Sequence, residues 1–353
     1  MKKKILKISL AALLISTYSS CVKDSVNDVD LPGNYENGYF VTNEGNFGSG
    51  NGSISYVSNN GSVDNEVFAS VNSFPLGDVV QSMEIIGDNV YIVVNGSSKI
   101  EVASEDSLIS IATITGLTSP RYISAVSENK AYVTDWGVNG VQVIDLLDNS
   151  ITSTITCGNG PEEIVVSNGF AYVCNSGGFN FDNTVSIIDI ENDIVVSILE
   201  VGDKPNSVVV DENNDIWVLT KGHTEYDPIT WEVIDETVGK LVRISNNMIQ
   251  DTYTFSVGNH PQDLNINSSG NILYYSDGNW SKSVYSFDIS DNQLSSAPLI
   301  SRSFYGLSTN NGYIYGTDAV DYVQNGWSFK YSSEGELLDS VNVGIIPGGH
   351  CFN

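Results

Sequence analysis

Histidine occurs only 3 times in 353 residues and cysteine 4 times, and 15 Lys+Arg stand against 43 Asp+Glu, a formal net charge of −28. The shortage of base excludes an ordinary nucleic-acid binder, because phosphate contacts need clustered Lys and Arg. It also argues against docking on anionic lipid through a basic patch. The histidines, His223, His260 and His350, are far apart and none has a zinc-spacing partner. No C-x-x-C pair, G-x-S-x-G elbow or Walker-type glycine loop occurs, so a cysteine–zinc site, a c-type haem and the common nucleophile and nucleotide motifs have no support. Long amphipathic helical patterns are missing after residue 38. The 41% apolar content is that of a globular chain.

The first residues differ from the rest. Lys2–Lys4 form a basic n-region, Ile5 to Ile15 a short apolar run, and small Ser19 and Ser20 precede Cys21. The run is too short to span a bilayer and reads as an export signal. Tyr18-Ser-Ser-Cys21 resembles a loose bacterial lipobox, similar to those of Bacteroidetes, which implies a lipid on Cys21. Lys23-Asp24 resembles the short charged tag of lipoproteins sent to the outer face of the outer membrane. The expected organisation is a signal over 1–20, a lipidated Cys21 with a polar linker over 21–37, and one folded domain over 38–353. Cys157, Cys174 and Cys351 remain, an odd number that cannot form a complete disulfide framework. Cys174 and Cys351 read as small buried hydrophobes.

What the domain does have is short Val/Ile/Tyr-rich runs between Gly/Asn/Asp/Ser turns, the mark of many short strands. One motif recurs, an aromatic-apolar strand ending in a polar residue: Tyr39-Phe-Val-Thr-Asn43, Tyr91-Ile-Val-Val-Asn95, Ala131-Tyr-Val-Thr-Asp135, Ala171-Tyr-Val-Cys-Asn175, Ile216-Trp-Val-Leu-Thr-Lys221, Leu273-Tyr-Tyr-Ser-Asp277 and Ile314-Tyr-Gly-Thr-Asp318. The spacings of these seven copies are 52, 40, 40, 46, 56 and 41 residues, near the ~40–50 of a four-stranded propeller blade. A third strand reads Val141–Asp145, Val185–Asp189 and Val284–Asp288. A Pro-x-x-apolar unit then opens the next blade at Pro120, Pro161, Pro205 and Pro261, where a fixed φ suits a strand entrance. The chain starts its repeats on a second strand and ends on a lone first-strand unit, Pro347–Asn353. The fold class is therefore all-β, a seven-bladed β-propeller of about 28 strands closed by pairing of the C-terminal strand with the N-terminal blade, which removes exposed sheet edges.

Phe40-Val-Thr-Asn43-Glu-Gly, Tyr132-Val-Thr-Asp135-Trp-Gly and the Val-Gly-x-x-Pro unit at Val201–Pro205 resemble YVTN-type propeller repeats, as in the YncE family, over residues 38–353. With the lipobox, the chain resembles surface propeller lipoproteins of Bacteroidetes. One branch, the BtuG type, captures cobalamin and hands it to a TonB-dependent transporter. Propellers host unrelated activities, so the resemblance is specific for fold and weak for function.

In a propeller the loops between second and third strands share a face with the blade-to-blade loops, around the channel. The second-strand ends give a polar ring there: Asn43, Asn95, Asp135, Asn175, Lys221, Asp277 and Asp318. Two readings are open, a ligand-facing ring or ordinary turn residues. The loops that follow carry Phe47, Trp136, Phe179, Phe181, Tyr226, Trp231, Trp280, Tyr322 and Trp327, either a stacking platform or local packing. The long connection Gly222–Gly239 holds Tyr226, Trp231 and five acids, and its Ile229, Trp231, Val233 spacing predicts an ordered hairpin acting as a flap over the mouth. Positions after the blade-opening proline add Gln81, Arg121, Tyr122, Glu162, Glu163, Asn206, Gln262, Asp263 and Tyr305, with Arg121 expected to pair with Glu162 or Glu163.

The expected function is non-catalytic capture of a ligand on this face by a lipoprotein of the outer membrane, facing outward, for uptake by a membrane transporter. A corrinoid is the leading ligand, from the family resemblance and because Trp, Tyr, Asn and Gln suit an apolar ring edged with amides. No nucleic-acid partner is expected, and membrane contact is through the lipid alone. Two rivals stay open. One is a surface scaffold or adhesin for protein or glycan. The other is a metal-dependent lactonase-like hydrolase using Glu44, Glu162, Asp277 or Asp318. No catalytic residue, metal site or cofactor is assigned, although channel carboxylates could hold Ca²⁺.

Overall fold

The computed structural model describes residues 35–278 and 281–353. Seven antiparallel sheets follow one another along the chain. Blade 1 joins Pro347–Phe352, Gly38–Asn43, Ser53–Ser58 and the two-residue Val63–Asp64. Blades 2 to 7 then begin with inner strands Val80–Ile86, Pro120–Ser127, Pro161–Ser167, Pro205–Val210, Gln262–Ile266 and Leu307–Asn310. Each inner strand lies beside the inner strands of the neighbouring blades, and Pro347–Phe352 touches both Val80–Ile86 and Leu307–Asn310, so the ring is closed. The closing strand pairs Phe352 with Tyr39 and Cys351 with Phe40.

The burial pattern explains why the repeats read as they do. Second strands are covered on both faces by neighbouring blades, so Tyr91-Ile-Val-Val-Asn95 and its equivalents run apolar without alternation. Outermost strands alternate, as Ile194–Glu200 does. The core is accordingly a ring of inter-blade layers. Phe40, Ile54 and Tyr56 of blade 1 meet Val80, Val90 and Ile92 of blade 2. Trp217 and Leu219 of blade 5 meet Leu273, Tyr275 and Phe287 of blade 6. The layer that closes the ring is thinnest in aliphatic residues, with Val41, Val57 and Val343. Aromatic packing of Tyr39, Tyr315, His350 and Phe352 adds to it. Tyr35, within the stretch expected to be linker, is buried against Phe40 and Tyr56.

Three departures from four regular strands per blade appear. Blade 6 has three strands, and its fourth position is a single bridge between Val284 and Ile300. The segment Asp291–Pro298 before that bridge lacks alternating apolar residues, so it has no face to bury. Blade 1 ends in a short helix, Val67–Asn72, that buries Val67 and Phe68. Blade 5 carries an extra hairpin, His223–Tyr226 with Val233–Thr237. Cys157, Cys174 and Cys351 are free thiols, and burial pushes Cys157 and Cys351 up to about 12, so they are inert packing groups.

Candidate functional site at the loop-face mouth

A repeated irregularity builds the site. Pairing slips after the blade-opening residue in five inner strands, between Val80 and Ser82, Pro120 and Ile123, Pro161 and Ile164, Pro205 and Ser207, and Gln262 and Asn265. Such bulges re-aim side chains. Gln81, Arg121, Tyr122, Glu162, Glu163, Asn206, Gln262 and Asp263 all sit at or beside these slips, and all line one cavity of about 450 Å³. Glu44, Trp136, Lys204, Lys221 and Tyr305 complete its wall from the surrounding loops. Below it, a second cavity of about 320 Å³ and a third of about 450 Å³ share Tyr122 and Glu163 with the mouth, which makes these two residues the waist of the channel.

Charge is distributed unevenly around the mouth. Arg121 Nη2 donates to Glu162 Oε1 at 2.7 Å, its Nε donates to the same carboxylate at 3.1 and 3.3 Å, and its Nη1 donates to Gln81 Oε1. Its guanidinium lies 4.2 Å over the Trp136 ring. The ring meets Phe179 edge-on at 5.4 Å, and Phe179 is 90% exposed. The Trp136 Nε1–H is buried with no acceptor among the described residues. Tyr305 donates to Glu44 at 3.1 and 3.0 Å, and burial raises that carboxyl. At the waist, burial lifts Glu163 well above the usual carboxylate range, with Asp263 and Glu162 adding to it against the Val208 N–H that donates to it at 3.0 Å. Burial lifts Asp263 to about 6. On the same side, burial and the charge of Lys221 pull Lys282 down to about 8. Among the described residues no group of three or more His, Cys, Asp or Glu is arranged to hold a metal ion.

The polar ring lies elsewhere than on the mouth wall. Asn43, Asp135 and Asn175 are fully buried and fasten strands and the entry loop within their own blades. Asn175 Nδ2 donates to Thr184 Oγ1 at 2.9 Å and Ser186 Oγ at 3.0 Å, and Asn43 does the same to Ser53 and Ser55. A glycine rests on each amide: a Cβ on Gly158, in the loop that enters blade 4, or on Gly344, in the strand Leu337–Ile345 of blade 7, would come to 2.6 Å of Asn175 or Asn43. Asp135 accepts the Thr118, Ser119 and Gly137 N–H groups, each at 2.8 Å. Asn95 donates to the Pro120 carbonyl at 2.8 Å. Asp277 accepts from Asn259 at 2.8 Å, and Asp318 meets Arg302 at 3.3 Å. None of these six residues lines the mouth; their bonded atoms fasten turns and strand ends, while Asn43 Oδ1, Asn175 Oδ1 and Asp277 Oδ1 are buried without a hydrogen-bond partner among the described residues. In blade 5 the strand stops at Thr220, which takes the ring position, and exposed Lys221 follows it onto the mouth wall.

Of the residues expected from sequence, Arg121, Tyr122, Trp136 and Lys221 come together at the mouth. Phe47, Tyr226, Trp231 and Tyr322 are exposed, and none of them lines it. Tyr322 packs edge-on to mouth residue Tyr305 at 5.8 Å. Trp327, expected in a loop, belongs to the strand Asn325–Ser332 opposite Asp318. The hairpin forms as expected; its root is held by Thr224–His260 at 3.0 Å, by the Phe181–His223 ring contact and by Thr237–Asp203, and none of its residues lines the mouth. Trp280, Cys21, the signal and residues 21–34 of the linker lie outside the described residues. Lys204 and Lys282 were missed: Lys204 fills a variable position of the Val201–Pro205 unit, Lys282 sits outside the repeat motifs, and only their rarity on so acidic a chain could have flagged them.

Solved structures of similar fold include a quinoprotein alcohol dehydrogenase-like protein of Bacteroides thetaiotaomicron, 15% identical over 90% of this chain and 79% of that one, with a TM-score of 0.66. The periplasmic gluconolactonase of Pseudomonas aeruginosa is 12% identical over 89% and 98%, with a TM-score of 0.64. A functionally unknown protein of Desulfotomaculum acetoxidans is 15% identical over 89% and 98%, with a TM-score of 0.62. At these identities the likeness is one of fold. A search of curated protein sequences finds no match. The family model described as "Domain of unknown function (DUF5074)" matches residues 37–342, and the chain belongs to that family.

Proposed function

We propose that this chain is a capture protein that holds a medium-sized ligand non-catalytically in the loop-face mouth. The observation that carries the reading is the mouth itself. Three carboxamides, Gln81, Asn206 and Gln262, share a cavity of about 450 Å³ with the Trp136 indole. The indole is braced from one side by Arg121 and continued outward by exposed Phe179. Amides pair with amides as both donor and acceptor, and a braced ring offers a rigid apolar face. A corrinoid, an apolar ring edged with amides, is the leading ligand. Delivery would be to a TonB-dependent transporter, from a position on the outer membrane held by lipid on Cys21. Titration of the purified chain with cyanocobalamin tests the ligand: capture from a scarce pool needs nanomolar binding, roughly −12 kcal/mol. Trp136→Ala should weaken it by about 2 kcal/mol. Absence of heat at micromolar protein rules out the corrinoid.

One observation favours a second reading. Glu163 and Asp263 sit together at the waist with both carboxyls raised by burial, and paired carboxyls in a cavity suit acid–base hydrolysis. Lactone hydrolysis by this pair predicts turnover in a lactone screen that Glu163→Gln abolishes.

A further inference from the structure

Basic side chains are scarce here, so where they are left unpaired is informative. Lys99, Arg121, Lys130, Arg243 and Arg302 take part in ion pairs among the described residues, and Lys330 lies 3.9 Å over the Tyr313 ring. Lys204, Lys221, Lys240 and Lys282 remain, and three of them meet at one wall of the mouth. Lys204 and Lys221 line the same cavity, with the Lys221 N–H donating to the Lys204 carbonyl at 3.0 Å. The Lys282 ammonium donates to Gln262 Oε1, the side chain that continues this wall, and lies close enough to Lys221 to be disfavoured by its charge. Bringing like charges together on a half-buried wall costs free energy unless an anion completes the set.

The acids nearby leave this wall unquenched. Glu162 is engaged by Arg121. Glu44 is raised by burial and bound by Tyr305, and burial raises Glu163 well above the usual carboxylate range. Asp263 faces Lys221 and Lys282, and Asp277 faces Lys282. Lys204, Lys221 and Lys282 outnumber the Asp263 and Asp277 carboxylates that face this wall.

We propose that Lys204, Lys221 and Lys282, with the Gln262 carboxamide, form a subsite for a phosphate group carried by the captured ligand. Lysines serve as point charges for phosphate, and the carboxamide N–H₂ supplies a directional donor beside them. The proposal rests on the mouth being the ligand site, but not on the ligand being a corrinoid.

The test titrates the full mature chain with inorganic phosphate and, separately, with glycerol 3-phosphate at fixed ionic strength, read by ³¹P line broadening and calorimetry. Both should saturate. The double variant Lys204→Gln/Lys221→Gln should bind at least about tenfold more weakly, with an unchanged circular dichroism spectrum. Lys330→Gln, the same charge change away from the mouth, should stay within about twofold. Glycerol 3-phosphate affinity should fall between pH 7.5 and 9, where the ester remains a dianion and Lys282 loses its proton near 8. Unsaturable broadening, equal weakening by Lys330→Gln, or exclusion of the glycerol ester would each overturn the proposal. Cyanocobalamin binding without phosphate binding removes the subsite and keeps the capture reading. Phosphate binding without cyanocobalamin binding keeps the subsite and changes the ligand.

Discussion

Replacing Arg121 by Met should destabilise the chain far more than its position at a solvent-filled mouth suggests. The guanidinium makes three contacts of 2.7 to 3.3 Å with Glu162, donates to Gln81 and covers Trp136 at 4.2 Å. The pair's side chains are only 16% and 9% exposed. Burial pulls the guanidinium down, yet Glu162 outweighs it and holds Arg121 above its ordinary value. Methionine keeps most of the apolar volume but strands the Glu162 carboxylate, and breaking one side of a buried pair costs about 3–5 kcal/mol. Partial wetting of the mouth favours the lower end, near 3 kcal/mol. Replacing both partners, as Arg121→Met with Glu162→Leu, removes the stranded charge and should return stability to within about 1 kcal/mol of the parent. Urea unfolding followed by far-ultraviolet circular dichroism measures all three variants. A single-variant loss under about 1 kcal/mol, or a double variant as unstable as the sum of the two singles, would refute the account of the pair as a desolvated unit.

Two other expectations are simpler. Asp263, lifted by burial to about 6, binds its proton more tightly folded than unfolded, so its favourable contribution is complete below about pH 4 and lost as pH rises through 6. Asp263→Asn should therefore gain on the order of 2 kcal/mol over the parent between pH 4 and 7.5 in urea midpoints, and a pH-independent difference would count against it. Deleting Pro347–Asn353 removes the partner of Gly38–Asn43 and should abolish soluble monomer in size-exclusion chromatography; a cooperatively folding monomer would show that closure is dispensable.

The fold was legible because the propeller repeats one physical problem seven times. Each second strand is covered on both faces, so each reads as the same apolar run before a polar stop, and the lone Pro347–Asn353 unit betrays the closing strand. The channel residues were half legible. The Pro-x-x-apolar unit marks the bulge, and the two residues after the proline are those the bulge turns inward, so Arg121, Tyr122, Glu162 and Glu163 could be named from spacing. The pairing of Arg121 with Glu162 or Glu163 was expected from the same spacing and forms with Glu162, whereas its second contact, back to Gln81, was not expected. Arg121 reaches back to Gln81 and forward to Glu162, and no local pattern encodes both. The aromatic loops misled for a related reason. Trp136, Trp231 and Trp327 look alike in sequence, yet one is held at the mouth by Arg121, one sits 76% exposed on the hairpin turn, and one lies in a strand.

The polar ring deserves the last test, since a polar residue at a strand end is equally a ligand contact and a turn fastener until its partners are known. Asn175 is fully buried. Its amide spans Thr184 and Ser186 of the next strand and seats Gly158 of the loop that enters blade 4. Alanine removes both hydrogen bonds and opens a void under Gly158, together about 2–3 kcal/mol. Mouth residues such as Trp136 and Lys221 do not depend on that amide. Asn175→Ala should therefore lower the urea midpoint clearly while leaving the affinity for any mouth ligand within about twofold. Loss of affinity without loss of stability would return Asn175, and with it the ring, to the ligand site.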